Sequence, residues 1–174
     1  MTGPSASVAT PDDWPEVVDL RTRVFVGEQG VPPEIERDDR DAGAVHVVSR
    51  AGTGELAGRV VATGRLLLPE DGSGTAGIGR MAADASVRGQ GHGAAVLAEL
   101  HRQAALRGAT AVELHAQVTA RRFYERAGYT AVGGEYLEAG IAHITMRCGL
   151  PAASGAHVTD RSAGDQTRPV RPSA

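Results

Sequence analysis

The chain has 174 residues, 41% of them hydrophobic and 22% charged, which suits one globular domain with a core large enough to fold unaided. A formal net charge of −3 lacks the basic footprint of general nucleic-acid binding. Cys148 is the only cysteine, which excludes an intrachain disulfide. No apolar run reaches the roughly 18 residues of a membrane span, and Met1 to Ser5 lack the basic-then-apolar pattern of a secretory signal. The expectation is a cytoplasmic protein without membrane or nucleic-acid partners.

Residues 5–9 read as a short first strand. Thr10, Pro11, Asp12 and Asp13 then announce a helix: a capping hydroxyl, a proline suited to the first turn, and acids near the positive end of the dipole. Trp14, Val17, Val18, Val24 and Phe25 continue it at helical spacing. Residues 27–43 hold two prolines and an acidic run, and predict a loop or broken helix. Strands follow over 44–50 and 55–68, joined by Ala51-Gly52-Thr53-Gly54. Residues 76–83 form a third strand, with a bulge hinted by Gly77 and Gly79. A helix spans about 91–107, with Val96, Leu97, Leu100 and Ala104 on one face and Gly108 as its stop. Residues 111–117 alternate as a strand, 119–127 form a short helix closed by Gly128, and 129–136 with 141–148 make a final hairpin. The fold class is α/β, a mixed and mostly antiparallel sheet flanked by helices. One domain covers 1–150; residues 151–174, with almost no large apolar residue, read as a disordered tail.

The chemistry concentrates at Arg88-Gly89-Gln90-Gly91-His92-Gly93, between a strand and the amphipathic helix. Alternating glycines let several N–H groups converge, and the helix adds its free amides and positive dipole end. Such a cup suits a diphosphate. The segment lacks the Gly-Lys-Ser/Thr of a triphosphate loop, while Gly89-x-Gly91-x-x-Ala94 nominally fits a dinucleotide fingerprint. A bare glycine-rich connector is the bland alternative.

Arg88-x-x-Gly91-x-Gly93 resembles the acetyl-CoA loop of the GNAT N-acetyltransferases, and Arg122-Phe123-Tyr124-Glu125-Arg126-Ala127-Gly128-Tyr129 resembles their second signature. The ElaA-type branch is the nearest likeness. Its N-terminal pattern matches Arg21-x-x-Val24-Phe25-Val26-x-Glu28-Gln29, then Asp38, Asp41 and His46; its C-terminal pattern matches Tyr136-x-Glu138-x-Gly140-Ile141-x-His143-x-x-Met146. The resemblance covers about residues 10–148. It implies a GNAT-type fold with splayed central strands, acetyl-CoA as acyl donor, no metal, and acetyl transfer to an amine by direct attack. It also implies a pantetheine arm beside Met81, Ala82 and Ala83, a diphosphate on residues 88–93, and a contact from Gln117. The acceptor would be a small-molecule or peptide amine, cationic ones included, and the protein a monomer or a homodimer. A non-catalytic acetyl-CoA sensor is the alternative from another class.

An amine attacking a thioester needs a site for the oxyanion, an acid for the thiolate and a sink for the amine's proton. Backbone N–H groups near Ala82 and Ala83 are placed for the first, and Tyr124 for the second. Glu28 leads for the third, since an acid amid apolar neighbours needs a reason; His46, His115 and His143 are the other candidates. The run Glu34, Glu36, Asp38, Asp39 and Asp41 reads as a solvated loop or as a negative rim that attracts a cationic amine. Arg121, Arg122 and Arg126 read as exposed helix charges or as ribose-phosphate contacts.

Overall fold

A computed structural model describes residues 2–152 of the chain; the expected tail lies, from residue 153 on, outside the described residues. β1 (Ala6–Val8) leads into α1 (Trp14–Arg21). The entry turn is closed reciprocally, with the Thr10 amide donating to the Asp13 carboxylate at 2.8 Å. The helix does not stop at Phe25. It widens at Thr22 into π-helical turns that run to Glu28, a form that often marks functional positions. A single turn, α2 (Pro33–Glu36), follows.

β2 (Val45–Arg50), β3 (Val60–Leu67) and β4 (Thr75–Ala83) form the antiparallel meander. β3 starts at Val60 rather than residue 55, because the link from β2 folds on itself: the Gly58 amide donates to Ala51 O at 2.8 Å, with Gly54 and Gly58 both at positive φ. α3 (His92–Leu106), β5 (Ala111–Gln117), α4 (Arg121–Arg126) and the hairpin of β6 (Thr130–Glu138) with β7 (Ile141–Gly149) complete the chain. The seven strands form one sheet in the order β1-β2-β3-β4-β5-β7-β6, antiparallel at every junction except β4–β5.

Two apolar layers hold the sheet. Val96, Leu97, Leu100 and Ala104 of α3 bury against Val47, Leu66, Val112 and Met146 on one face. Val17, Leu20 and Val24 bury against Val48, Val60 and Ala82 on the other. Each large aliphatic side chain so placed contributes about 1.5–3 kcal/mol. Gly64 lets α3 approach: a Cβ there would stand 2.5 Å from Met81 Sδ and 2.8 Å from Leu100 Cδ1.

The β4–β5 junction makes the site. The strands pair only from Thr75↔Ala111 to Ile78↔Leu114; beyond that Ala82 and Ala83 pair with β3 alone, and His115 to Gln117 with β7 alone. A bulge helps to turn β4 away. Thr63 faces Ala82 and Arg65 faces Gly79, so three steps of β4 oppose two of β3. The extra residue is Arg80, at φ +52°, one position beyond the glycine expected to carry the bulge. Its guanidinium holds this conformation by donating to Glu36 O at 2.8 Å and Ile35 O at 3.1 Å.

Candidate active site

The parted ends of β4 and β5 open a cleft of about 700 Å³. The π-helical segment roofs it on one side and the β6–β7 hairpin walls it on the other, with Phe25, Met81, Arg88, Gln117, Tyr124 and His143 in its lining. The α3 N-terminus follows the β4 side. Gly91 caps the helix at φ +95°, and no side chain occupies the free amides of its first turn. With Gly89 at φ +79°, loop and helix present backbone donors, as a diphosphate requires.

The loop's side chains divide. Arg88 turns into the cleft, donating to Ala83 O at 3.1 Å and 3.0 Å and to Glu28 Oε2 at 2.7 Å. Gln90 folds back onto Ser86 O. His92 points the other way: Ser49 donates its hydroxyl to Ser5 O, so the 2.8 Å contact between Ser49 Oγ and His92 Nδ1 is a donation from the imidazole. The ring is 7% exposed and fastens α3 to β1 and β2, leaving only its backbone amide for a ligand.

On the β4 wall the Asp84 amide donates to Val61 O at 2.8 Å. Strand alternation then directs the Ala83 amide and carbonyl to the opposite, cleft side, in agreement with the Arg88 contact. Met81 packs its thioether against α3 below Gly64. Gln117, the last residue of β5, donates to Gln29 Oε1 at 2.7 Å. Glu28 and Gln29, adjacent at the end of the π-helical segment, are thus fastened one to each wall.

Tyr124 lines the cleft from α4. It is 7% exposed and packs edge-on against Phe123 and Tyr129; burial pushes its hydroxyl up to about 12. Of the three histidines considered as bases, His115 and His143 line the cleft and His46 does not. His46 lies in a separate groove, where its Nε2 donates to Asp41 O at 2.9 Å and its ring meets Trp14 edge-on.

Three of the five acids in the run, Glu36, Asp38 and Asp41, are neither solvated nor a free negative rim. Glu36 is 3% exposed and accepts from Arg21 Nε at 2.5 Å. Asp41 accepts from Arg21 at 2.9 Å and from Arg65 at 2.7 Å, and Asp38 accepts twice from Arg65, at 2.6 Å and 2.9 Å. These hydrogen bonds hold the Asp38 carboxyl well below the usual range, chiefly through Arg65. Burial pushes Asp41 up, but the bonds from Arg21 and Arg65 outweigh it and leave it lowered. Arginines from α1, β3 and β4 thus match the three acids, which chain position alone could not reveal. Glu34 and Asp39 stay exposed. Arg121 is paired with Glu125 at 2.7 Å on its own helix.

The positions given no role in advance are Arg21, Gln29, Arg65, Arg80 and Glu138. Of these, Arg21, Gln29 and Glu138 carried a signal, as members of the quoted patterns. The dinucleotide alternative loses its footing, because residues 84–88 separate the end of β4 from Gly89, where that turn should follow the strand directly.

Residues 20–150 match the acetyltransferase (GNAT) domain family. An uncharacterised N-acetyltransferase of Bacillus subtilis, YjcF, is 35% identical over 128 residues, covering 73% of this chain and 86% of that protein. An acyl-CoA N-acyltransferase of Pseudomonas aeruginosa superposes with a TM-score of 0.69 at 31% identity, over 84% of this chain and 99% of its own. Escherichia coli ElaA shares the fold, with a TM-score of 0.69 at 24% identity over 83% and 99% of the two chains. The parted strands, the glycine-capped helix and the 20–150 match together place this chain in the GNAT acetyltransferase family, as an acyltransferase that takes its acyl group from an acyl-CoA.

Proposed function

We propose that the chain moves the acetyl group of acetyl-CoA to a primary amine by direct attack. The observation that carries this reading is the parting of β4 and β5 beside the α3 N-terminus, whose first-turn amides no side chain occupies. A thioester threaded between the strands would have its diphosphate on the amides of residues 89–93, its pantetheine arm along Met81 to Ala83, and Gln117 on the opposite wall. The bound donor supplies an activated acyl carbon, and the chain's residues do the rest. The Ala83 amide donates to the oxygen that becomes negative. Tyr124 donates to the sulfur as the carbon–sulfur bond breaks and the nitrogen–carbon bond forms. Glu28 and His143 are the cleft groups placed to receive the amine's proton; Glu28 can do so only once Arg88 releases its carboxylate.

No membrane-spanning helix is present among the described residues, and a small-molecule or peptide amine has open access to the cleft. Incubation with acetyl-CoA and an amine panel, read by thiol release and by product mass, tests the function. Thiol release that depends on an amine is the expected result. Calorimetric CoA binding without turnover on any amine would favour the sensor reading, and absence of CoA binding by folded protein would end both.

A further inference from the structure

We infer that His143 is the residue that takes the proton from the attacking amine, with Glu138 beside it to receive the ammonium. This rests on the acetyl-transfer reading and deepens it.

The imidazole orientation is fixed by a backbone group. His143 Nδ1 lies 2.7 Å from Ile141 O, and a carbonyl oxygen only accepts, so Nδ1 carries the hydrogen. The neutral ring therefore holds its free lone pair on Nε2. The side chain is 11% exposed and lines the cleft, and its ring stacks on Tyr136 at 6.1 Å between centroids and 25° between planes. Its position in the sheet is the required one: His143 is in register with Gln117, at the end of β5 where the strands have parted.

Glu138 completes the arrangement. Its Oε2 stands 3.6 Å from His143 Nε2 and its Oε1 stands 3.9 Å from His115 Nδ1, both too long for hydrogen bonds. The carboxylate is 53% exposed and has no arginine partner among the described residues. Glu28, Glu36 and Asp38, also in the lining, are each engaged by arginine, and Glu113, the lining's other carboxylate, sits in register with Gly77 where β4 and β5 are still paired, away from His143. An ammonium group entering the hairpin side of the cleft thus meets the Glu138 carboxylate with two imidazole nitrogens within 4 Å of it, and of the two rings His143 is the buried one whose tautomer a backbone carbonyl fixes, whereas the His115 side chain is 54% exposed. Transfer of one proton from that ammonium to Nε2 leaves a neutral amine to attack and an imidazolium facing Glu138. The other groups nearest His143 are Gln117 and His115 on β5 and Tyr136 on β6, with Glu28, Glu113, Tyr124, Arg40, Arg65, Arg80 and Arg88 elsewhere in the lining; no arginine bonds to the ring among the described residues.

Two measurements test the assignment. Nitrogen NMR of the full chain with labelled histidine reports the neutral tautomer of His143 directly; Nδ1–H is expected, and Nε2–H overturns the assignment whatever the activity. Kinetics of His143→Gln use butylamine, which is protonated at neutral pH, and trifluoroethylamine, whose fluorines keep it neutral. The variant should bind CoA within about twofold of wild type and lose roughly 10²-fold or more in kcat/KM with butylamine. Its acid limb should then follow the amine's own ionisation, and the deficit with trifluoroethylamine should be at least about tenfold smaller. Equal deficits on the two amines would place His143 in structure rather than proton transfer. Wild-type protein that releases no thiol with either amine would count against the acetyl-transfer reading itself, while the tautomer would still decide the ring.

Discussion

At the scale of single residues, Tyr124 sets the energetic question. Burial pushes its hydroxyl up to about 12, whereas a free thiol ionises near about 8.5. Complete proton transfer to the departing sulfur would run uphill by roughly 5 kcal/mol at that gap. A hydrogen bond that strengthens as charge collects on sulfur needs no such transfer, and the thiolate can take its proton afterwards from solvent. Thiolate is also a good leaving group. Tyr124→Phe should therefore lower kcat by about 10²-fold, the low end for such groups, with calorimetric CoA affinity unchanged; an unaltered kcat at saturating amine would remove Tyr124 from the chemistry. Tyr124 and the glycine loop were legible because their residue types and spacing are local. The inward turn of the His92 ring was not, since its partner Ser49 is 43 residues away.

Between elements, the arginine–carboxylate cluster ties α1, α2, β3 and β4 together behind the cleft. Arg65 is 2% exposed on its side chain and satisfies Asp38 and Asp41 at once. Removing one partner of a buried pair costs about 3–5 kcal/mol, because it strands the opposite charge. Arg65→Ala should lower the urea-unfolding free energy by about that amount; a loss under about 1 kcal/mol would mean that water already screens the cluster. The Gly64 position is a packing counterpart. Gly64→Ala drives a methyl into Met81 and Leu100, and overpacking of this kind costs about 1–3 kcal/mol, to be read as a lowered Tm. Neither feature was legible in advance. The acidic run showed its charge but not its partners, which come from α1, 15 to 20 residues earlier, and from strands 24 to 44 residues further on.

Across the whole molecule, the order of helices and strands was legible from periodicity and from glycine and proline punctuation. The widening of α1 beyond Arg21 and the divergence of β4 from β5 were not, because both depend on neighbours distant in sequence. The same neighbours set the acid behaviour of the fold. Asp38, Asp41 and Asp84 all have lowered folded pKa values; Asp84 reaches about 2, through its bonds from the Ser86 side chain, Arg23 and the Ser86 amide. A carboxylate whose folded value is depressed stabilises the fold above its unfolded value of about 3.9 and loses that contribution as pH falls through the folded value. Urea midpoints should hold near neutrality and fall between about pH 5 and pH 2. Asp84→Asn should flatten part of that fall, and an unchanged slope would show that Asp84 does not contribute.

The fastening of Glu28 to Arg88 has a thermodynamic corollary. On the proposed reading an anionic diphosphate and the Glu28 carboxylate would compete for one guanidinium, which would make the carboxylate a built-in rival of the donor. Both side chains are close to half exposed, and such pairs are worth up to about 1 kcal/mol. Glu28→Gln should then tighten CoA binding by no more than about fivefold, and less as salt rises. Unchanged affinity at low salt would show that Arg88 does not reach the phosphates. On the proposed reading the seated donor would displace Glu28 from Arg88, which would favour entry of the amine second.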